Sequence, residues 1–348
     1  MKTTSDITKT NILGYTRETL RAKLAEMNIK PFIADQILDW IYKKFKLDFS
    51  EMVNIAKEIR ARLEEAFEIR FFKNIETLES DGGRATKMII TLNDGKYIEA
   101  VVLREKKYNT LCVSSQCGCP VDCKFCLTGV AGFKRNLESY EIVGQILLAN
   151  QLGHPISNLV FMGMGEPLLN YDNVFAAINL MNAEYSFHIS KRKMTVSTSG
   201  YIQNIKRLIS EKNYINLAFS VGHANPSKRV VLMPIESRNP IMEVVALLHE
   251  YQTMHNRKLT LEYTLIQDKN EDDQAIRELS NISKYLKAKI NLINLNPHPK
   301  IPFRPVTTKR LHEVRDLLEN SGVPVTIRFR KGDDISAACG QLGESCLG

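Results

Sequence analysis

The sequence predicts an α/β protein built as a partial (β/α)6 barrel, preceded by a small helical domain and a β-hairpin. From Cys112 onward, short apolar runs of strand length alternate with amphipathic stretches of helical length. Repeated strand–helix units of this kind produce a parallel sheet with helices outside it. About six such units follow one another, which predicts an open or partial barrel.

The predicted elements can be placed from their hydrophobic pattern. Candidate strands cover 111–114, 158–162, 193–197, 216–221, 259–266, 290–295 and 323–329. Candidate helices between them cover 137–152, 171–182, 202–212, 241–255 and 272–287. In such folds functional sites gather at the carboxyl ends of the strands, so residues just after each strand are the first candidates.

The region before the barrel has a different pattern. Apolar residues recur at helical spacing between about Tyr15 and Phe67. Asp94-Gly95 then separates two alternating runs, which is a strong hairpin signal. We therefore expect a helical accessory domain over 1–80, a β-hairpin extension over 81–110 and a catalytic domain over 111–348.

Composition restricts the class of protein and its partners. The 348 residues include 47 Lys and Arg against 39 Asp and Glu, a net charge of +8. This excess favours a polyanionic partner or is simply a solvated surface. The runs 191–193 and 328–331 are basic enough to touch phosphates. No apolar window approaches about 18 residues, and the polar start lacks a signal-peptide core, so a cytoplasmic protein without a membrane span is expected.

Five of the seven cysteines fall in one short stretch. Three of them, Cys119, Cys123 and Cys126, have the spacing CxxxCxxC. Three thiolates on one loop can hold three irons of a [4Fe–4S] cluster and leave the fourth iron open for a substrate. Zinc remains an alternative, since Cys117 or Cys112 could supply a fourth ligand. The uneven spacing and the aromatic Phe125 favour the cluster.

The cysteine motif with its aromatic residue resembles the signature of the radical S-adenosylmethionine (SAM) superfamily. After a candidate strand, Phe161-Met-Gly163-Met-Gly165-Glu166-Pro resembles the element that holds the methionine amino group of SAM in that superfamily. Glycine lets the backbone approach a ligand closely, and a carboxylate accepts hydrogen bonds from an ammonium. The resemblance implies a [4Fe–4S] cluster and SAM as cofactors.

A closer resemblance extends from Glu99 to Leu342, and it is to the RlmN/Cfr family of RNA adenine methyltransferases. It is carried by the segments TLCVSSQCGC, KFCLTG, GFKRNL, MGMGEPLLN, SKRKMTVSTSG, INLAFSV, INLINLNP and GDDISAACGQL. The helical N-terminus also resembles the accessory domain of that family, which implies that it contacts RNA. The implied fold is the partial (β/α)6 radical SAM barrel.

The resemblance implies three catalytic residues. Cys339 would take a methyl group from SAM, and a second SAM would yield the radical that activates this methyl for addition to the base. Cys112 would be the resolving partner that releases the product as a Cys112–Cys339 disulfide. Glu99 would accept the ring proton. Without the resemblance, Cys112 would be read as a small buried residue on a strand and Cys339 as an inert thiol in a loop. Glu99 would be read as a solvent-facing residue of a hairpin strand.

The resemblance also implies cofactor contacts at six positions, which are Gly165, Glu166, Ser197, Ser220, His223 and Asn296. One departure lies among them. The family usually has one residue fewer between the serine and the histidine, and Gly222 is the extra residue here. An inserted glycine could form a bulge that still delivers His223 to the site, or it could displace that contact.

The implied reaction is methylation at carbon 2 of an adenine in 23S rRNA, with tRNA as a further substrate. Methylation at carbon 8, which confers antibiotic resistance on ribosomes, is the alternative, as is a paralogue with another RNA target. Two other classes stay open: a metal-stabilised RNA-binding protein, and a radical enzyme that acts on protein. The expected partners are RNA and an external electron donor such as flavodoxin or ferredoxin, and the expected state is a monomer.

Overall fold

The computed structural model describes residues 9–255, 259–328 and 331–347. Two sequence predictions extend past these limits. The last residue of the predicted strand 323–329 lies outside the described residues, as do the two middle residues of the basic run 328–331.

The strands and helices are as follows. The strands are β1 Thr10–Asn11, β2 Phe67–Glu68, β3 Asn74–Glu79, β4 Ala85–Thr91, β5 Tyr97–Arg104, β6 Asn109–Cys112, β7 Gln116–Cys117, β8 Arg135–Asn136, β9 Ile156–Phe161, β10 Met194–Thr198, β11 Asn216–Ser220, β12 Leu259–Leu265, β13 Lys289–Asn294 and β14 Val325–Ile327. The helices are α1 Arg17–Glu26, α2 Ile33–Tyr42, α3 Lys57–Ala66, α4 Leu127–Val130, α5 Ser139–Gln151, α6 Tyr171–Asn182, α7 Ile202–Ser210, α8 Pro226–Leu232, α9 Ile241–His255, α10 Asp273–Tyr285 and α11 Thr308–Asn320.

One ten-stranded sheet organises the molecule, in the order β14-β13-β12-β11-β10-β9-β6-β5-β4-β3. The strands β6 and β9 to β14 run parallel, each paired with the next. The hairpin β4–β5 and the strand β3 extend this sheet antiparallel beyond β6. Among the described residues the end strands β14 and β3 do not pair, so the barrel is open.

The predicted partial α/β barrel is confirmed. Helices α5, α6, α7, α9, α10 and α11 connect successive parallel strands, as the alternating pattern predicts. Helix α10 illustrates how the sequence specifies them: the Asp272 side chain accepts from the Ala275 N–H at its start, and Ile276 and Leu279 bury its apolar face. The strand β3 and the helices α8 and α11 were not among the predicted elements.

The N-terminal helices pack directly on the barrel. Tyr42 at the end of α2 is buried, and its ring lies 5.5 Å from that of Phe187, which follows α6. Gly144 in α5 lets the ring of Phe71 approach, since a Cβ there would lie 2.5 Å from Phe71 Cδ1. The helical region and the barrel therefore share one hydrophobic core.

A buried arginine joins the loops that follow two neighbouring strands. Arg229 on α8 has no exposed surface and donates from Nη2 to Ser199 O at 2.7 Å, after β10. Its Nε donates to Val221 O at 2.8 Å, after β11, and its Nη1 pairs with Glu236 at 2.5 Å. The guanidinium is thus fully satisfied by groups that border the carboxyl edge of the sheet.

Among the described residues, no helix combines the length and apolar character that crossing a membrane requires.

We predict that Arg229→Met lowers the free energy of unfolding by about 3–5 kcal/mol, because it leaves the Glu236 carboxylate buried without its cation. Thermal denaturation followed by circular dichroism measures the change. The control is Arg315→Met, which removes a half-exposed ion pair with Asp316 and should change the melting temperature little. Equal effects of the two substitutions would contradict the role given to Arg229.

Candidate functional site

A cavity opens at the carboxyl ends of the parallel strands. It brings together residues at or just after the ends of β6 and β9 to β14, as expected for a site in this kind of fold. Seven of the predicted residues and Cys339 line it together, namely Cys119, Cys123, Cys126, Gly165, Glu166, Ser197 and Ser220. Segments far apart in sequence therefore meet where the prediction placed the chemistry.

The loop that carries the three cysteines needs a glycine at its start. Gly118 has a φ of +75°, and a Cβ on it would lie 1.7 Å from Gly132 O. Only glycine permits this backbone contact. The loop closes with a hydrogen bond from Cys126 N to Cys123 O at 3.1 Å. The thiols are thereby held on one short, folded loop that faces the cavity.

Burial determines the charge state of these thiols. Burial raises the pKa of both Cys119 and Cys123, and the nearby Cys126 raises it further. A thiol in such surroundings is neutral until a cation replaces its proton. The three thiols therefore match the chemistry of a soft metal centre, which would supply the missing positive charge.

The segment after β9 forms a close-fitting turn around a buried carboxylate. Gly165 has a φ of +103°, and a Cβ there would lie 2.6 Å from Gln116 Cβ. Glu166 is 4% exposed and its Oε2 accepts from Ser199 N at 2.8 Å and from Ser199 Oγ at 2.6 Å. Burial raises the pKa of Glu166. The carboxylate is thus fixed at the cavity wall, where an ammonium group could be bound.

The extra glycine forms a tight turn rather than a bulge. The pairing of β11 continues through Val221 N to Glu262 O at 3.0 Å, and then His223 N donates to Val221 O at 2.8 Å. Gly222 lies between these partners with a φ of +66°, which is the geometry of a γ-turn.

This turn sends His223 away from the predicted contact. His223 is fully buried and is not among the residues that line the cavity. Its Nδ1 accepts from Asn225 N at 2.9 Å, at the start of α8. Burial lowers its pKa, so the ring is neutral and serves here as a hydrogen-bond acceptor.

The segment that carries Cys339 crosses back over the mouth of the barrel. Asn296, which follows β13, donates from Nδ2 to Cys339 O at 2.7 Å. Leu127 N, directly after the cysteine loop, donates to Gly340 O at 2.8 Å. These two bonds place Cys339 between the cysteine loop and the end of β13. The Oδ1 atom of Asn296 is buried without a hydrogen-bond partner among the described residues, so it could accept from a ligand.

Cys112, the last residue of β6, lies within electrostatic range of Cys339. Its thiol is 6% exposed, and its pKa is raised to about 12, chiefly by burial and next by Cys339. Neither cysteine is in a disulfide. The structure therefore brings the predicted methyl carrier and its predicted partner into the same neighbourhood.

Two charged residues that the sequence analysis missed border these thiols. Arg328, after β14, lines the cavity, and its pKa is raised chiefly by Cys339, with Glu262 and Cys112 adding to the effect. Glu262 on β12 has one carboxylate oxygen buried without a partner. Two features of the sequence could have identified them. Glu262 is a lone carboxylate inside an apolar strand, and Arg328 is a basic residue directly after the last strand of the barrel.

A second cavity lies next to the first and is bordered by the same groups. Cys339, Arg328 and Glu262 line both, while Asn296 lines only the second. Lys289, Lys331 and Glu105 also line the second cavity, so charges of both signs border it. The other basic run, 191–193, precedes β10 and thus lies at the opposite edge of the sheet from the first cavity.

Glu99 occupies a different position from the one its predicted role suggests. It is fully buried on β5 and lines neither cavity. Its carboxylate accepts from Gly343 N at 3.1 Å, Ser345 N at 3.1 Å and Ser345 Oγ at 2.7 Å, and pairs with Lys87 Nζ at 3.0 Å. In this arrangement Glu99 binds the C-terminal segment that follows Cys339.

Comparison with known proteins agrees with this site. Residues 10–69 match the ribosomal RNA large subunit methyltransferase N-terminal domain, and residues 113–279 match the radical SAM superfamily. A probable dual-specificity RNA methyltransferase RlmN from Pseudothermotoga lettingae is 40% identical, over 95% of this chain and 97% of that protein. The dual-specificity RNA methyltransferase RlmN of Marinobacter nauticus is also 40% identical, over 96% of this chain and 92% of that protein.

A crystal structure of a radical SAM methyltransferase from Sphaerobacter thermophilus has the same fold. Its TM-score is 0.92 at 34% identity, over 97% of this chain and 99% of that chain. With the cavity at the strand ends, these matches define the protein as a radical SAM enzyme. More narrowly, the chain belongs to the RlmN family of RNA methyltransferases.

The cofactors of a radical SAM enzyme are a [4Fe–4S] cluster and SAM, and the described residues fit both. Three partly buried thiols on one loop supply the soft ligands that a cluster requires. The turn at Gly163 and Gly165 has no room for side chains, and both residues face the same cavity, so a ligand can approach the backbone closely.

We predict that Gly118→Ala sharply reduces the iron bound per chain after anaerobic reconstitution, because the added Cβ collides with Gly132 O and displaces the cysteine loop. Iron and sulfide analysis measures the effect. The matched control is Gly153→Ala, since Gly153 also has a positive φ, +82°, but nothing lies within 4 Å of its Cβ position. Equal iron binding by the two variants would contradict this account of the loop.

Proposed function

We propose that the protein methylates carbon 2 of an adenine in 23S rRNA, and of an adenine in tRNA, through a methyl group carried on Cys339. The observation that carries this proposal is the meeting of Cys339 with the three-cysteine loop in one cavity. A reactive thiol next to the loop that would hold the cluster is suited to a methyl transfer in which the protein carries the methyl group before the base receives it. Dual-specificity RNA methyltransferase is also how the RlmN relatives are named.

In this proposal Cys119, Cys123 and Cys126 hold the cluster, and Gly165, Glu166, Ser197 and Ser220 contact SAM. When bound, these cofactors supply the methyl group and the one-electron chemistry that an unactivated aromatic carbon requires. Glu166 is suited to the ammonium of SAM because its carboxylate is already oriented by Ser199. Asn296 positions Cys339 by donating to the main-chain oxygen of Cys339. Its own Oδ1 has no partner among the described residues and is available to a ligand.

The thiols act in sequence. Cys339 takes a methyl group by displacement, which requires a thiolate. The guanidinium of Arg328 lies within electrostatic range of the Cys339 sulfur, which is the largest cause of the raised pKa of Arg328. Cys112 then displaces the modified base from Cys339, and the two sulfurs form a disulfide that an external reductant reopens. The high pKa of Cys112, about 12, keeps it protonated and unreactive until that step.

RNA binding extends beyond the cavity in this proposal. The N-terminal domain contacts RNA, as the name of the matching family domain suggests. The second cavity is lined by Lys289, Lys331 and Arg328 together with Glu105 and Glu262, and its cations could contact phosphates next to the target base. We also propose that an external donor such as flavodoxin or ferredoxin supplies the electrons, and that the protein acts as a monomer.

We predict that rRNA and tRNA from cells lacking the gene lose 2-methyladenosine, and that the intact gene restores it. Mass spectrometry of digested RNA, with synthetic 2-methyl and 8-methyl nucleosides as standards, measures both products. A gene variant encoding Cys339→Ala is the matched control and should restore neither. Restoration of 8-methyladenosine instead would assign the alternative reaction, and no change in either nucleoside would contradict an RNA methylation function.

We predict opposite consequences for the two catalytic thiols. Cys339→Ala removes the methyl carrier and should abolish methylation, while Cys112→Ala should leave RNA covalently attached to Cys339, because its resolving partner is missing. Denaturing electrophoresis of the anaerobic reaction with labelled RNA detects the adduct. Cys339→Ala combined with Cys112→Ala should show no adduct, and RNA methylation by Cys339→Ala alone would refute the two-step mechanism.

A further inference from the structure

Cys117 and Cys346 are the two cysteines that the proposed methylation chemistry does not use. Cys117 ends β7, directly before the cysteine loop, and Cys346 ends a short 3-10 turn, Glu344–Cys346, at the C-terminal end of the described chain. Each Sγ donates to the same main-chain oxygen, Tyr97 O, at 3.2 Å in both cases. Two sulfurs that contact one oxygen are neighbours, and the two side chains interact directly.

The two thiols differ in how solvent reaches them. Cys117 is 1% exposed and fixed on a strand, with Gly118 held tightly behind it. Cys346 is partly exposed and belongs to a single turn near the chain end. A solvent-borne reagent therefore meets Cys346 first, and Cys117 stands behind it. An exposed thiol with a second thiol adjacent to it is the arrangement found in redox-sensing pairs.

We propose that Cys117 and Cys346 form a second redox-active dithiol, which small-molecule disulfides of the glutathione class convert to an intramolecular disulfide. One sulfur of the pair attacks the disulfide, whose S–S bond breaks and releases one thiol. The other sulfur then attacks the mixed disulfide, forms the Cys117–Cys346 bond and releases the second thiol. Both protein protons pass to the two released thiols, and the small disulfide accepts the two electrons.

Closing this bond fastens the tail that holds Glu99. Gly343 N and Ser345 N, which donate to the Glu99 carboxylate, directly precede Cys346. Bonded to β7, the turn can no longer withdraw from Glu99, whereas the reduced turn is held only by non-covalent contacts. The oxidised protein therefore keeps the segment after Cys339 in its present position, and the reduced protein is able to release it.

The test uses the reconstituted holoenzyme, equilibrated anaerobically with mixtures of reduced and oxidised glutathione. The samples are quenched in acid, alkylated and cleaved after lysine and after Glu344, which separates Cys339 from Cys346. We expect a disulfide between the peptides 108–124 and 345–348, found by mass spectrometry. It should persist in Cys339→Ser and be absent from Cys346→Ser and Cys117→Ser.

Two results would overturn the proposal. In the first, Cys346 remains a free thiol, or forms only a mixed disulfide with glutathione, at every ratio of reduced to oxidised glutathione. The other is a link to the peptide 108–124 that survives in Cys117→Ser, because Cys112, Cys119 or Cys123 would then be the partner.

Amide hydrogen exchange tests the tail separately from the cross-link. Exchange at Gly343 and Ser345 should slow on the order of tenfold on oxidation, because the cross-link restricts the open state of the turn. The Cys346→Ser protein, under the same glutathione mixtures, should show no such change. Equal exchange in the oxidised and reduced wild type would overturn the fastening of the tail, whatever the activity of the enzyme.

Discussion

The ion pair between Lys87 and Glu99 is the interaction on which the arrangement of the site depends. Both side chains are buried, at 3% and 0% exposure, so neither charge can be left without partners. The carboxylate has one cation and three further donors, all three of which come from Gly343 and Ser345, some 244 positions away in sequence. Satisfying this one buried charge therefore requires the C-terminal segment to return across the barrel, and that return delivers Cys339 to the cavity.

The remaining contacts of that segment only refine its position. Asn296 holds Cys339 through its main-chain oxygen, and Leu127 holds Gly340. Leu127 directly follows the cysteine loop, so the same short contact couples the proposed methyl carrier to the predicted cluster ligands. Arg229 fixes the loops after β10 and β11 in a comparable way. The reacting groups are thus positioned by main-chain contacts, which substitutions of surface side chains leave intact.

Periodicity predicted the barrel because each strand–helix unit carries its own local signal, such as the Asp272 cap and the apolar face of α10. The three-cysteine loop and the Gly165 turn were also readable, since their chemistry depends on residues adjacent in sequence. The position of His223 was not, because it follows from a γ-turn at Gly222 that pattern alone does not specify. Glu262, Arg328 and the pairing of Cys117 with Cys346 depend on contacts between distant segments, which one sequence does not encode in any local pattern.

The position and contacts of Glu99 do not match its proposed role as proton acceptor if the site is rigid. The Glu99 carboxylate already accepts three hydrogen bonds and pairs with Lys87, so these contacts occupy both of its oxygens. It also lies outside the cavity that holds Cys339. If Glu99 accepts the ring proton, the turn containing Gly343 and Ser345 must first leave it, which exposes the carboxylate and frees the segment after Cys339 in a single movement. Substrate binding can drive that movement only by replacing the hydrogen bonds that the turn now supplies, so the tail and the RNA compete for the same buried charge.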